Sequence, residues 1–130
     1  MNTPILASLA AVAGGAVFGA AARWLLGLWL NPLTSLLSCG TLAANWLGAL
    51  LIGLAAGAAG FFPALSPYWK LWFMTGLLGS LTTFSGFSLE IIDMLQEQRY
   101  AQAIITALLH VFGSLLWTAA GLKLMRFCCT

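Results

Sequence analysis

The sequence predicts an all-α membrane protein, folded as a single domain of four transmembrane helices over residues 1–130. Of the 130 residues, 62% are hydrophobic and only 6% are Asp, Glu, Lys or Arg, whereas soluble domains carry about 25% charged residues. So little charge cannot cover a surface that faces water, and so apolar a composition excludes intrinsic disorder. Because one membrane-spanning helix needs about 20 residues, the chain has room for about four spans with short loops.

Four long apolar segments define the predicted spans. They cover residues 4–30, 36–60, 69–95 and 101–124. Asn31-Pro32 separates the first span from the second, prolines 63 and 67 separate the second from the third, and polar residues 96–99 precede the fourth. The alternating pattern of a β-barrel is absent. Because the loops are short, consecutive helices must run antiparallel, which places both termini on the same side of the membrane.

Basic residues are almost evenly divided between the two ends of the predicted bundle. Lys70, Lys123 and Arg126 belong to the end that holds the termini, whereas Arg23, placed at the end of the first span, and Arg99 belong to the other. An excess of Lys and Arg on one side sets the orientation of a membrane protein. This balance therefore predicts insertion in both orientations and an antiparallel homodimer within the lipid. Charge this sparse also argues against a nucleic-acid partner.

Small residues recur along three of the spans at spacings that let helix backbones approach closely. Lipid offers helices no hydrophobic incentive to associate, so close backbone packing has to supply the contact. The predicted contact positions are Gly15, Gly19, Ala49, Gly53, Gly57, Gly113 and Gly121. Tryptophans near the span ends, Trp24, Trp29, Trp69 and Trp72, are expected to anchor the bundle at the membrane surface.

The third span contains a segment that is poorly suited to a continuous helix. Residues 76–90 hold three glycines and five hydroxyl residues, which predicts a break in the middle of the membrane. Backbone groups freed by a break cost several kcal/mol each in hydrocarbon, so they must face a polar group, water or an ion. The alternative is that each hydroxyl bonds back onto its own helix.

Aromatic and polar side chains accompany this segment. Phe84 and Phe87, three residues apart, project from one helix face, and the positive edges of their rings would attract a small anion. The alternative for such a pair is packing or lipid contact. Asn45 is the one amide deep in the second span, where it could instead bond between helices. A polar stripe runs along the fourth span through Thr106, His110, Ser114 and Thr118.

Three segments together resemble the signatures of the Fluc (CrcB) family of small fluoride channels. The first covers residues 14–24 with their paired glycines and Arg23, the second covers residues 41–48 around Asn45, and the third covers residues 79–90. The Thr-Thr-Phe-Ser-x-Phe-Ser motif of the third segment is the most specific of them. The sequence departs from the family pattern at Ser80 and Gly86, and at His110, where a small hydroxyl residue is expected.

The resemblance implies an antiparallel dual-topology homodimer that exports fluoride passively through two pores in a bacterial plasma membrane. It implies that the ring edges of Phe84 and Phe87 line the pores and that Asn45 contributes a donor. It further implies a structural Na⁺ at the dimer interface, held by the backbone carbonyls of Gly79 and Thr82. The hydroxyl residues that we predict to join the fluoride pore are Thr83, Ser85, Ser88 and Ser114.

Other functions explain the sequence less well. A small dual-topology exporter of drug cations would need an acidic residue deep in a span to exchange protons for substrate, and the first span has none. A membrane scaffold subunit would explain the glycines but not the polar break. An enzyme is not expected, because the few polar residues assemble no combination of nucleophile, base and orienting group.

Overall fold

The computed structural model describes residues 4–130 and consists of helices joined by short connections. The helices are α1 (Ile5–Leu30), α2 (Cys39–Phe61), α3 (residues 67–81), α4 (Phe84–Gln96) and α5 (Tyr100–Cys128). Within the described part of the chain, α1 with the turn that follows it, α2 and α5 are each long and apolar enough to cross a membrane. The chain is thus a multi-pass helical membrane protein, and α3 and α4 occupy the segment that the sequence predicts as the third span.

The third span is interrupted near its middle, as the sequence predicts. Helix α3 contains an α-helical turn at Pro67–Lys70, a wider π-helical segment at Leu71–Leu78 and a last turn at Gly79–Leu81. Thr82 and Thr83 are extended, with ψ angles of 153° and 118°, and α4 begins at Phe84. The predicted break is therefore confirmed, whereas the π-helical segment was not anticipated from composition.

Two helix boundaries differ from those inferred from apolar runs. Residues 36–38 precede α2 because the Arg99 guanidinium binds the carbonyls of Ser35 and Leu36 and holds this segment outside the helix. At the other end of the chain, α5 continues to Cys128 and so includes Lys123 and Arg126. Apolar runs miss these positions because a helix can extend beyond the hydrocarbon.

Glycines set the pairing of the helices. A Cβ atom placed on Gly15 would lie 1.9 Å from the Trp72 carbonyl oxygen of α3, and one on Gly53 would lie 2.2 Å from the Thr118 carbonyl oxygen of α5. A Cβ atom on Gly121 would lie 2.4 Å from the Leu50 carbonyl oxygen of α2. Helix α1 therefore packs directly on α3, and α2 packs directly on α5. The predicted role of these glycines in helix contact is confirmed.

Gly53→Ala is expected to destabilise the bundle by about 1–3 kcal/mol, because the added methyl group overlaps backbone that cannot move aside. The measurement is the thermal unfolding midpoint of the purified protein in detergent. Gly60→Ala is the matched control on the same helix, since nothing lies within 4 Å of a Cβ atom there. Equal effects of the two substitutions would contradict a contact role for Gly53.

Arg23 does not lie at the end of the first span, contrary to our expectation. It is seven residues before the end of α1 at Leu30, which is about 10 Å along a helix axis, and its Nε donates to the Ser80 carbonyl oxygen beside the break, at 3.0 Å. A guanidinium at this depth contributes less to the charge balance between the loops. The Lys and Arg counts at the two ends are therefore less even than the sequence suggests.

Candidate ion site at the helix break

The break opens onto a concavity of about 480 Å³ on one face of the bundle. Helices α2, α3, α4 and α5 all contribute to its wall. Its polar lining comes from Asn45, Thr82, Thr83, His110, Ser114 and Thr118. Its aromatic lining comes from Phe84 and Phe87, and apolar residues such as Ile52, Met74 and Leu115 complete it. Most of the residues predicted to form a pore are therefore brought together on one surface.

Asn45 holds the broken backbone in place. Its Oδ1 accepts a hydrogen bond from the Thr83 backbone N–H at 2.7 Å, and its Nδ2 donates to the Thr83 carbonyl oxygen at 3.1 Å. In a continuous helix this N–H would have reached the Gly79 carbonyl. The side chain thus pairs with both backbone groups of one residue, which fixes the orientation of the amide. In this conformation the Asn45 amide forms hydrogen bonds between helices, which is the alternative that the sequence left open to a role as a donor for the ion.

The second proton on Asn45 Nδ2 points to His110. Nδ2 lies 3.0 Å from His110 Nδ1, and because an amide nitrogen only donates, Nδ1 must accept. The neutral imidazole then carries its own proton on Nε2. His110 is only 4% exposed, and its Nε2 is buried with no hydrogen-bond partner in residues 4–130. Both amide protons of Asn45 are engaged here, which leaves the Nε2–H of His110 as an unpaired donor on a residue that lines the concavity.

Phe84 and Phe87 differ in their surroundings. Phe87 is 9% exposed and stacks on the His110 ring with centroids 4.6 Å apart. Phe84 is 77% exposed, and its ring meets that of Phe87 edge to face at 5.5 Å. The aromatic pair and His110 form one continuous cluster. Within this cluster, Phe84 is the residue whose side chain is exposed on the surface of the single chain.

The hydroxyl groups divide into two sets. Ser80 donates to the Gly76 carbonyl at 2.7 Å and Thr82 to the Leu78 carbonyl at 2.9 Å, so both bond back onto α3. Thr83 Oγ1 instead caps α4 by accepting from the Gly86 N–H at 2.9 Å. It also lies 3.2 Å from the hydroxyl of Ser85. The alternative that a hydroxyl bonds back onto its own helix therefore holds for Ser80 and Thr82, whereas Thr83 caps the start of α4.

The remaining predicted residues occupy different positions relative to the concavity. Ser114 lines the concavity, as does Thr118 one turn further along the polar stripe. Thr106, at the other end of the stripe, is buried and does not line it. Ser85 is exposed next to Thr83, and Ser88 is half-buried on α4. Neither Ser85 nor Ser88 lines the concavity of the single chain.

The carbonyls of Gly79 and Thr82 lie at the end of α3, where the helical hydrogen-bond pattern stops. The Thr83 N–H that would reach Gly79 is taken by Asn45, and the extended ψ of Thr82 turns its carbonyl out of the helix. Both residues line the concavity. Oxygen ligands of this kind suit a hard cation, so the backbone here fits the sodium ion implied by the sequence resemblance.

Glu90 is engaged away from this concavity. Its Oε1 accepts from the backbone N–H of Ser38, the residue that precedes α2, and its Oε2 is buried with no partner among the described residues. Asp93 and Glu97 are exposed. Glu90 thus links α4 to the start of α2, where a negative charge favours the helix dipole.

Apolar helices around a broken span, with aromatic edges and an unpaired donor at the break, define a multi-pass membrane protein suited to handling a small ion. The chain belongs to the CrcB family: its residues 10–122 match the family described as "CrcB-like protein, Camphor Resistance (CrcB)". The resemblance inferred from the three sequence segments is thereby confirmed.

Relatives of similar length share about half of the residues. A protein of Albidiferax ferrireducens named "Fluoride-specific ion channel FluC" is 52% identical over 123 residues, covering 95% of this chain and 94% of that protein. Proteins with the same name from Chromohalobacter salexigens and Pseudomonas putida are 54% and 48% identical. These alignments cover 88% and 95% of this chain, and 87% and 97% of the relatives.

Proposed function

We propose that this protein is a fluoride-selective channel that lets fluoride leave a bacterial cell passively across the plasma membrane. The observation that carries the proposal is family membership together with relatives that bear this name over nearly their whole length. The site supports it with ring edges and an N–H donor, groups that attract an anion without trapping it by a fixed charge. Export of drug cations has no such support, because Glu90, the acid nearest the break, binds a backbone N–H.

The channel is proposed to work as an antiparallel homodimer. In one chain the concavity lies open on a face of the bundle, and Phe84, 77% exposed, projects from it. A second copy on this face would enclose the concavity and remove the exposed backbone at the break from lipid, which cannot satisfy it. Membrane lipid then contacts the remaining outer faces.

A structural Na⁺ is proposed at the dimer interface, held by the carbonyls of Gly79 and Thr82. Its charge would offset carbonyl dipoles that have lost their helical partners. Two contacts of this chain keep the Gly79 carbonyl available: Asn45 takes the N–H that would otherwise reach it, and Arg23 binds the neighbouring Ser80 carbonyl instead. The ion would stabilise the break, whereas the side chains around it handle fluoride.

Conduction requires that protein groups replace the water around fluoride. Moving an ion into a medium of low dielectric constant costs on the order of 20 kcal/mol in the idealised case. The Nε2–H of His110 and the edges of Phe84 and Phe87 offer partial positive charge along one cluster. Asn45 acts on this path through His110, because its Nδ2–H fixes the tautomer that leaves Nε2 protonated. The polar stripe continues the path at Ser114 and Thr118.

The proposal is tested by ion efflux from liposomes that contain the purified protein. We expect rapid fluoride loss and negligible chloride loss, because the small ion gains most from the few closely placed donors. Ion-selective electrodes measure both rates in the same preparation, with protein-free liposomes as the control. Equal rates for fluoride and chloride would contradict a selective channel.

The sequence resemblance implies dual topology although the basic residues are divided less evenly than the sequence suggests, and it makes a separate prediction about insertion. Reporter domains fused to the C-terminus should show both orientations. Adding two or three lysines to the loops at one end should make most copies insert in a single orientation. The same lysines added to the opposite end are the control and should favour the opposite orientation. A single fixed orientation of the unmodified chain would contradict the antiparallel dimer.

A further inference from the structure

The charged side chains at the end of the bundle that holds the termini are all basic. Lys70 closes the first turn of α3, and Lys123 and Arg126 lie in the last turns of α5. The three acidic residues of the whole sequence, Glu90, Asp93 and Glu97, all lie in or just after α4, towards the other end. One end of the protein therefore presents three cations to the membrane surface without an acidic residue to neutralise them.

An apolar groove opens in the outer surface near this end. It has a volume of about 430 Å³ and lies between α2, α3 and α5. Every residue that lines it is apolar or aromatic: Leu51, Leu54, Ala55, Ala58, Trp69, Trp72, Phe73 and Met125. Trp69 and Trp72 each carry an indole Nε1, but neither exposes polar surface in the groove, and the Nε1 of Trp69 is buried with no partner in residues 4–130. A purely apolar groove of this size suits a hydrocarbon chain.

Two of the basic residues stand beside the groove in the sequence. Lys70 directly follows Trp69, and Arg126 directly follows Met125, and both basic side chains are exposed. Long basic side chains of this kind keep their charge at the membrane surface while their stems lie along apolar surface. The groove therefore has a hydrocarbon-compatible floor, and at two places a basic residue directly follows a residue that lines it.

The groove and the ion site use different faces of α2. Asn45, Ala49 and Ile52 line the concavity at the break, whereas Leu51, Leu54 and Ala55 line the groove. On a helix with 3.6 residues per turn these two sets point in directions about 120° apart. A second copy seated on the concavity would accordingly leave the groove open to lipid.

We propose that this groove is a binding site for an anionic diacyl phospholipid. One acyl chain lies along the groove, and the phosphate is held by Lys70 and Arg126 at its rim. Each basic residue near the membrane surface favours an anionic lipid by about fivefold. A zwitterionic lipid gains less, because its own ammonium group faces the same two cations. In an antiparallel dimer the two copies would place one such site in each leaflet.

The test is native mass spectrometry of the delipidated full-length protein with added lipid. Phosphatidylglycerol and phosphatidylcholine with identical acyl chains are the two probes, and inorganic phosphate is the third. We expect phosphatidylglycerol to bind about tenfold or more tightly than phosphatidylcholine, and inorganic phosphate not to compete. Equal binding of the two lipids would overturn the proposal, and so would competition by phosphate, which would indicate a simple anion site.

Variants locate the site. Lys70→Gln is expected to weaken phosphatidylglycerol binding about fivefold, and the double variant with Arg126→Gln by at least about tenfold. Lys123→Gln is the matched control with the same loss of charge, because Lys123 lies two residues from Met125 and so about 160° around α5 from it. An equal effect of Lys123→Gln would show attraction to the whole charged end and would overturn a defined site.

A second variant tests the groove itself. Ala58→Trp places a large ring into the groove without changing any charge, and we expect it to reduce phosphatidylglycerol binding at least about fivefold. The thermal unfolding midpoint confirms that the variant is folded, and fluoride efflux should remain, because Ala58 does not line the concavity at the break. Undiminished lipid binding by folded Ala58→Trp would show that no acyl chain occupies the groove.

Discussion

Asn45→Asp is expected to lower fluoride efflux by about 100-fold or more and to reduce the thermal stability of the protein. The carboxylate keeps the bond from the Thr83 N–H but loses both donors, so the Thr83 carbonyl and His110 Nδ1 are left unpaired. Each buried group left without a partner costs about 1–3 kcal/mol. The tautomer of His110 is then no longer fixed, and a negative charge stands beside the path of an anion. Efflux from liposomes and unfolding in detergent measure the two effects.

Asn31→Asp is the matched control for this substitution. Asn31 also binds backbone through its Oδ1, which accepts from the Gly40 N–H at 2.8 Å near the start of α2. Aspartate keeps this acceptor, and its charge favours a helix N-terminus. We expect efflux and stability within about twofold and about 0.5 kcal/mol of the unmodified protein. If Asn45→Asp behaved in the same way, the amide protons of Asn45 would have no role.

The main features of the fold follow from composition because lipid permits so few solutions. Apolar runs long enough to cross a bilayer must be helices, and a segment rich in glycine and hydroxyl residues such as 76–90 cannot remain one continuous helix there. The glycine spacing indicated where backbones meet, since a Cβ atom at Gly15 would lie only 1.9 Å from the Trp72 carbonyl oxygen and so no larger residue fits. The depth of Arg23 was misjudged because its partner, the Ser80 carbonyl, is free to accept its hydrogen bond only where the helix is broken.

The candidate site was predictable as a set of residues but not as a set of bonds. Asn45 and His110 are 65 positions apart, and no local pattern indicates that one amide pairs with both Thr83 and His110. The available signal was that the second span has one deep amide and the fourth span the only histidine. Polar side chains within a membrane tend to form hydrogen bonds with one another across neighbouring helices. Ser85 and Ser88, predicted from the motif, lie outside the concavity of the single chain. The same lack of local signal explains why the motif did not reveal this.

Phe84→Ile is expected to reduce fluoride efflux at least about tenfold while leaving the folded chain stable. Isoleucine keeps the apolar character of the side chain but has no ring edge to present to an anion and no edge-to-face contact with Phe87. Little buried area within the chain is lost, because Phe84 is 77% exposed. The measurements are fluoride efflux, the thermal unfolding midpoint and the mass of the protein in detergent, which shows whether the variant forms the proposed dimer.

Phe112→Ile provides the comparison that separates a ring at the ion path from a ring in lipid. Phe112 is 58% exposed and lines an apolar surface of α5 with Trp46 and Trp117, not the concavity at the break. Its replacement should change efflux by less than about twofold. A loss of efflux in both variants would indicate a general requirement for aromatic bulk in the bundle. Loss of efflux in Phe84→Ile alone, in a variant that still forms the proposed dimer, requires that the exposed ring acts on the ion.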